Sequence, residues 1–145
     1  MKLSAHFDLA EFTVSQEAGR RGLDNTPSLA ILVNLRRLAG LMEQVRDLLG
    51  QPITISSGYR SEKINSIIGG AKNSHHVLGL AADFICPEFG DPYEVAIAIS
   101  RSAIKYDQLI MEYGSWVHIS MNEPPRRQDL SIFKGTGYQT GIKRP

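Results

Sequence analysis

The sequence predicts an α+β fold in which a small, mainly antiparallel sheet is flanked by helices. Three observations predict it. Leucines at three- and four-residue steps between Leu29 and Leu48 mark one long amphipathic helix. Short apolar or alternating runs further on, at Pro52–Ser57, Leu80–Cys86, Gln108–Tyr113 and Trp116–Met121, mark strands. Helices come first, then strands mixed with helices, the order of an α+β domain. The chain has 145 residues, enough for one core and few for two, so a single domain over residues 1–145 is expected.

The elements follow in order. Asp8-Leu9-Ala10-Glu11 has capping-box character with a carboxylate at the cap, and Ser15 can cap a short turn that Gly22 stops. Thr26 as N-cap and Pro27 at the first helical position open the long helix, which Gly50 closes. Leu29, Leu32, Leu35, Leu38, Met42, Val45 and Leu48 form its core stripe. A strand from Pro52 leads to the turn at Gly58. Ser61 caps a short helix through Ile68, which Gly69-Gly70 breaks.

A buried strand, Leu80–Cys86, follows the loop that carries His76. Asp91 and Pro92 start a helix to about Ile104, and two strands then join around Gly114-Ser115 in a glycine-first hairpin turn. The last two dozen residues, with Pro124-Pro125 and three glycines, read as an irregular tail. No repeat, low-complexity tract or linker interrupts the chain.

Composition narrows the function. A net charge of +1 gives no reason to expect nucleic acid or an anionic membrane as partner. The basic cluster Arg126, Arg127, Lys134, Lys143 and Arg144 reads as a solvated tail. Cys86, the single cysteine, excludes an internal disulfide and a Cys-rich zinc site, and its place in an apolar run suits a buried thiol. No stretch reaches the ~20 apolar residues of a membrane helix, and the N-terminus lacks the apolar core of a signal peptide. The expectation is a soluble chain made in the cytoplasm.

One stretch fits neither a core strand nor a solvated loop. Ser74-His75-His76-Val77-Leu78-Gly79-Leu80-Ala81-Ala82-Asp83 packs two of the four histidines beside a carboxylate. A catalytic zinc site takes three protein ligands from His and Asp/Glu and leaves one position for water. Strand alternation puts Asp83 beside the small Ala81, and Gly79 permits a turn that folds His76 back to that face. His118, in Trp116-Val117-His118-Ile119-Ser120, is the third candidate. His75 competes with His76 on spacing, and His6 has no ligand-like context.

The pattern Ser74-x-His76-x-x-Gly79-x-Ala81-x-Asp83, followed by Trp116-x-His118, resembles the zinc-site signature of the M15 peptidases. These are D-alanyl-D-alanine carboxypeptidases and peptidoglycan endopeptidases, phage endolysins among them, and they share a fold with the zinc domain of hedgehog proteins. The likeness extends through Ser56–Ser61, Asn65 and Gly69-Gly70. Phe7–Phe12 and Asp24–Pro27 resemble the phage and prophage branch, so the likeness covers about residues 3–121.

The resemblance implies a hedgehog-like, D-Ala-D-Ala peptidase-like fold and one zinc ion per chain held by His76, Asp83 and His118. It implies that Arg60 binds the scissile carbonyl and stabilises the oxyanion, a task suited to a fixed guanidinium. Tyr59 and Ser74 would contact substrate, although capping the following turn explains Ser74 equally well. The implied partner is a peptidoglycan peptide met by a monomer, delivered by phage or lysis machinery.

One departure stands out. Many members carry the general base three residues before the last histidine, where this chain has Ser115, and a serine without a partner base cannot deprotonate water. Glu112 is the favoured base and Asp107 the fallback. A two-residue hairpin would turn Glu112 away from His118; a three-residue loop with a bulge would put it opposite His118 on one face. The expected function is zinc-dependent hydrolysis of peptidoglycan stems, as carboxypeptidase or endopeptidase. The alternative is a non-catalytic, zinc-stabilised binding or structural module.

Overall fold

A computed structural model describes residues 1–145. Its helices are α1 (Leu9–Thr13), α2 (Gln16–Arg21), α3 (Leu29–Leu49), α4 (Glu62–Ile67), α5 (His75–Leu78) and α6 (Pro92–Ser100). Its strands are β1 (Thr54–Ser57), β2 (Ala81–Ile85), β3 (Gln108–Glu112), β4 (Trp116–Ser120), β5 (Gln128–Ile132) and β6 (Gln139–Thr140). No helix is long and apolar enough to cross a membrane.

Helix α3 is the scaffold. Leu35, Leu38, Ala39, Met42 and Val45 are wholly buried along one face, whereas Leu29 and Leu48, at the ends of the expected stripe, are exposed. The helix starts two residues later than Thr26 and Pro27 suggested. Asp24 takes both the amide (2.9 Å) and the hydroxyl (2.6 Å) of Thr26 in a local turn, which leaves Ser28 to accept from Ile31 N–H and cap the helix. Helix α6 stops at Ser100 rather than near Ile104. There the Ser100 and Ser102 hydroxyls donate to Ile97 and Ile99, and the Arg127 guanidinium donates to the carbonyls of Ser100, Ser102 and Ile104.

The sheet has six strands in the order β1-β2-β4-β3-β5-β6. It is mixed, not the small and mainly antiparallel sheet expected, because β5 runs parallel to β3. The cause lies in the segment read as an irregular tail. After β4 the chain returns to the start of β3, where Asp107 accepts from Arg126 N–H, Nε and Nη2 at 3.1, 2.9 and 2.8 Å. Arg127 N–H bonds Tyr106 O and Gln128 N–H bonds Asp107 O, so β5 sets out beside β3 in the same direction. Arg126 and Arg127 are therefore clasps for the C-terminal strands, not solvated charges.

Alternation gives the sheet two unlike faces. Ala82, Phe84, Leu109, Met111, Val117 and Ile119 join α3 and α6 in a core cluster of 23 residues, which also holds Cys86. The neighbours they alternate with, Asp83, Ile110, Glu112, Trp116 and His118, face the other way, into a cleft.

Candidate metal centre

Strand register assembles half of the site. Asp83 on β2 lies directly opposite His118 on β4, and on the other side His118 pairs with Ile110 and Trp116 with Glu112 on β3. Residues opposite one another share a face, so Asp83, His118, Trp116 and Glu112 converge. The β3–β4 loop has three residues, Tyr113, Gly114 and Ser115, the first two with φ of +58° and +64°. Glu112 thus shares the face of His118, but one pair along from it rather than opposite.

His76 arrives from above the sheet. Its segment is a single helical turn, α5, where a loop was expected. Ser74 Oγ accepts from His76 N–H at 3.2 Å to start the turn, and Gly79, at φ +72°, ends it. A Cβ at Gly79 would sit 3.0 Å from Ile31 Cγ2, so glycine also lets the turn lie close on α3. The turn is held from below by Arg60 N–H donating to His76 O.

One ligand atom each from His76, Asp83 and His118 lies within 4.8 Å of the other two, a group able to hold a metal ion. Asp83 Oδ1 is 2.9 Å from His118 Nδ1 and 3.3 Å from His76 Nε2. His76 Nδ1 is 2.7 Å from Gly58 O, which can only accept, so Nδ1 carries the proton and Nε2 presents a lone pair. That lone pair faces a carboxylate oxygen across 3.3 Å. Two acceptors held together in a largely buried place are the donor set for a cation.

Burial pushes the Asp83 carboxyl up, but hydrogen bonds and charge from His118 and His76, when their imidazoles are protonated, outweigh it and hold the group well below the usual carboxylate range. Glu112 moves the other way: burial and the Asp83 charge raise it, against opposing pulls from His118, Trp116 and Arg60. Burial lowers the Arg60 guanidinium, and the Asp83 and Glu112 charges work against that. Glu112 Oε2 is 3.8 Å from His118 Nδ1. Arg60 Nε and Trp116 Nε1 are buried without hydrogen-bond partners; the indole leans on the Glu112 carboxylate without a well-formed bond.

The surrounding cleft, about 400 Å³, takes in Arg60, Ser74, His75 and Glu112 together with the three candidate ligands. His75 points its Nε2 to within 3.8 Å of Asp107, away from the ligand group. Asp107 is fully buried under Arg126 and does not line the cleft. Ser115 is exposed and donates to Tyr113 O, and His6 pairs with Glu43 on α3. Tyr59 lines a neighbouring cavity instead of the cleft.

Two contributors escaped sequence reasoning. The Gly58 carbonyl, which sets the His76 tautomer, is backbone and leaves no side-chain signal. Tyr138 lines the cleft from the segment before β6, inside the stretch whose composition suggests an irregular tail.

Residues 5–120 match the profile of the Peptidase M15 family. This chain belongs to that family. A 52-residue stretch is 42% identical to the zinc D-Ala-D-Ala carboxypeptidase of Streptomyces albus G. It amounts to 36% of this chain and 19% of that protein, so most of the relative's length has no counterpart in the match. In this M15 peptidase-family chain the profile match ends at β4, and β5, β6 and Tyr138 lie beyond it.

Proposed function

We propose that this protein is a zinc-dependent peptidase that hydrolyses peptide bonds in the stems of bacterial peptidoglycan, with His76, Asp83 and His118 as ligands of one zinc ion. The observation that carries this is the convergence, on one sheet face, of a His/Asp/His donor set with Glu112 and Arg60 in the same cleft. The name of the Streptomyces relative, a zinc enzyme of D-Ala-D-Ala peptides, supports both metal and substrate class.

Zinc bound there supplies a Lewis acid that acidifies water and polarises a scissile carbonyl. Glu112 takes the proton from the attacking water and returns it to the leaving amine, and a desolvated carboxyl with a raised pKa suits both tasks. Arg60 directs its buried, unpartnered N–H at the charge that develops on the carbonyl oxygen. Ser74 is engaged as the helix cap and positions His76 through the backbone. Gly58 fixes the proton on His76 Nδ1.

A carboxylate in the cleft favours an enzyme over a non-catalytic module, since Glu112 supplies the acid that Ser115 does not. The test is hydrolysis of purified peptidoglycan, lost with a chelator, restored by zinc, with the products read by mass spectrometry. Stoichiometric zinc without hydrolysis would leave the module as the correct reading.

A further inference from the structure

Arg60 lines two cavities. One is the metal cleft. The other, about 370 Å³, lies between β1, α4 and the turn joining α1 to α2. Its walls include the aliphatic Val14, Ile64 and Ile68, the hydroxyls of Ser56 and Ser57, and Tyr59. The volume falls in the range of ~300–1,000 Å³ in which ligand sites lie.

Val14 is 70% exposed and Ile68 42% exposed, so two large aliphatic side chains are left open on the same cavity. Glu17, the one acid there, is already held by Arg20 at 3.1 Å and Arg21 at 2.9 Å. The cation among the walls is Arg60, on which the Asp83 and Glu112 charges also act from the metal cleft.

We propose that this second cavity is a substrate subsite, which receives a further residue of the same peptide whose scissile bond lies in the metal cleft. The occupant is an amino-acid residue with an aliphatic side chain, its backbone carbonyl or carboxylate turned to Arg60. The proposal rests on the hydrolytic function proposed above and on Arg60 lining both cavities. Arg60 then serves both: it meets the developing oxyanion on one side and positions the extended peptide on the other. A peptide spanning both cavities is longer than a terminal dipeptide, so the favoured substrate is an extended stem.

The test uses the zinc-loaded Glu112→Gln protein, so that binding is measured without turnover. It is titrated calorimetrically with the stem pentapeptide L-Ala-γ-D-Glu-L-Lys-D-Ala-D-Ala and with N-acetyl-D-Ala-D-Ala. Ile68→Trp and Val14→Trp are each added to fill the cavity from exposed positions, with metal content and thermal unfolding verifying the fold. Each filling is expected to shift the ratio of the two affinities by ~10-fold against the pentapeptide. An unchanged ratio in both variants, or no pentapeptide binding at all, overturns the proposal. Cleavage of the pentapeptide by the Glu112 protein with an unchanged ratio removes the subsite and keeps hydrolysis. A shifted ratio without cleavage does the reverse.

Discussion

Replacing Gly58 by alanine tests how the metal centre is built. The added Cβ would lie 2.6 Å from Phe12 O, 2.7 Å from Phe12 Cα and 3.0 Å from Phe12 C. All three are backbone atoms, so no rotamer change relieves the clash. Moving the strand end away strains the 2.7 Å bond from Tyr59 N–H to Phe12 O and shifts the Gly58 carbonyl that accepts from His76. Overpacking of this kind costs about 1–3 kcal/mol, and the weakened hydrogen bond about 1 more. The sum, about 2–4 kcal/mol, lowers Tm by roughly 6–15 °C in a chain of this length. Loss of the partner that orients a ligating imidazole should weaken zinc by about 10–100-fold. Thermal unfolding of the metal-free protein isolates the clash, and competition with a chromophoric chelator reads the affinity. If zinc binds the variant as tightly as the parent, the Gly58 carbonyl does not set the His76 tautomer.

Glu112→Gln should retain stoichiometric zinc and lose about 10²–10⁴-fold in turnover; wild-type hydrolysis would remove Glu112 from the mechanism. Arg126→Ala should destabilise by about 2–3 kcal/mol in urea titrations, although Arg126 is half exposed, because it strips two charged donors from the fully buried Asp107. Glu43 is pushed up by burial, but Ser4 and His6 outweigh this and lower it to about 2 from 4.5. A depressed carboxylate stabilises above its unfolded pKa, so the advantage of the parent over Glu43→Gln, about 1–2 kcal/mol at neutral pH, should disappear as pH falls from 4.5 to 2. Gly40→Ala, inside α3 with nothing within 4 Å of its new Cβ, should stabilise by about 0.5–1 kcal/mol; a lower Tm would show an unrecognised contact there.

What the sequence disclosed tracks the range of the forces involved. Capping at Asp8, Ser15, Ser61 and Asp91 and the buried stripe of α3 are local, and they were legible as short-range patterns. The strands through β4 were legible because short alternating or continuous apolar runs mark them. Helix α5 was not, since one turn is too short to establish a period. The start of α3 was misplaced because Thr26 has two competing uses, and Asp24 decides between them. Strands β5 and β6 were missed for a different reason: their pairing is fixed by Arg126 and Asp107, 19 residues apart, and neither residue marks a strand. Tyr138 was lost with them. Spacing left His75 open beside His76, and the resemblance chose His76; the contact of its Nδ1 with the Gly58 carbonyl is one that spacing does not encode.

The Arg126–Asp107 clasp bears on how this unit could be transplanted. Anyone grafting it onto another protein would be drawn to cut near residue 120, where the family profile stops. Such a cut would remove the Arg126 guanidinium from the buried Asp107, take Asp129 from the Tyr106 hydroxyl and bare the flank of β3. The excised piece would carry every proposed zinc ligand and still be poorly soluble. The smallest portable module therefore runs past the proposed zinc ligands, through β6.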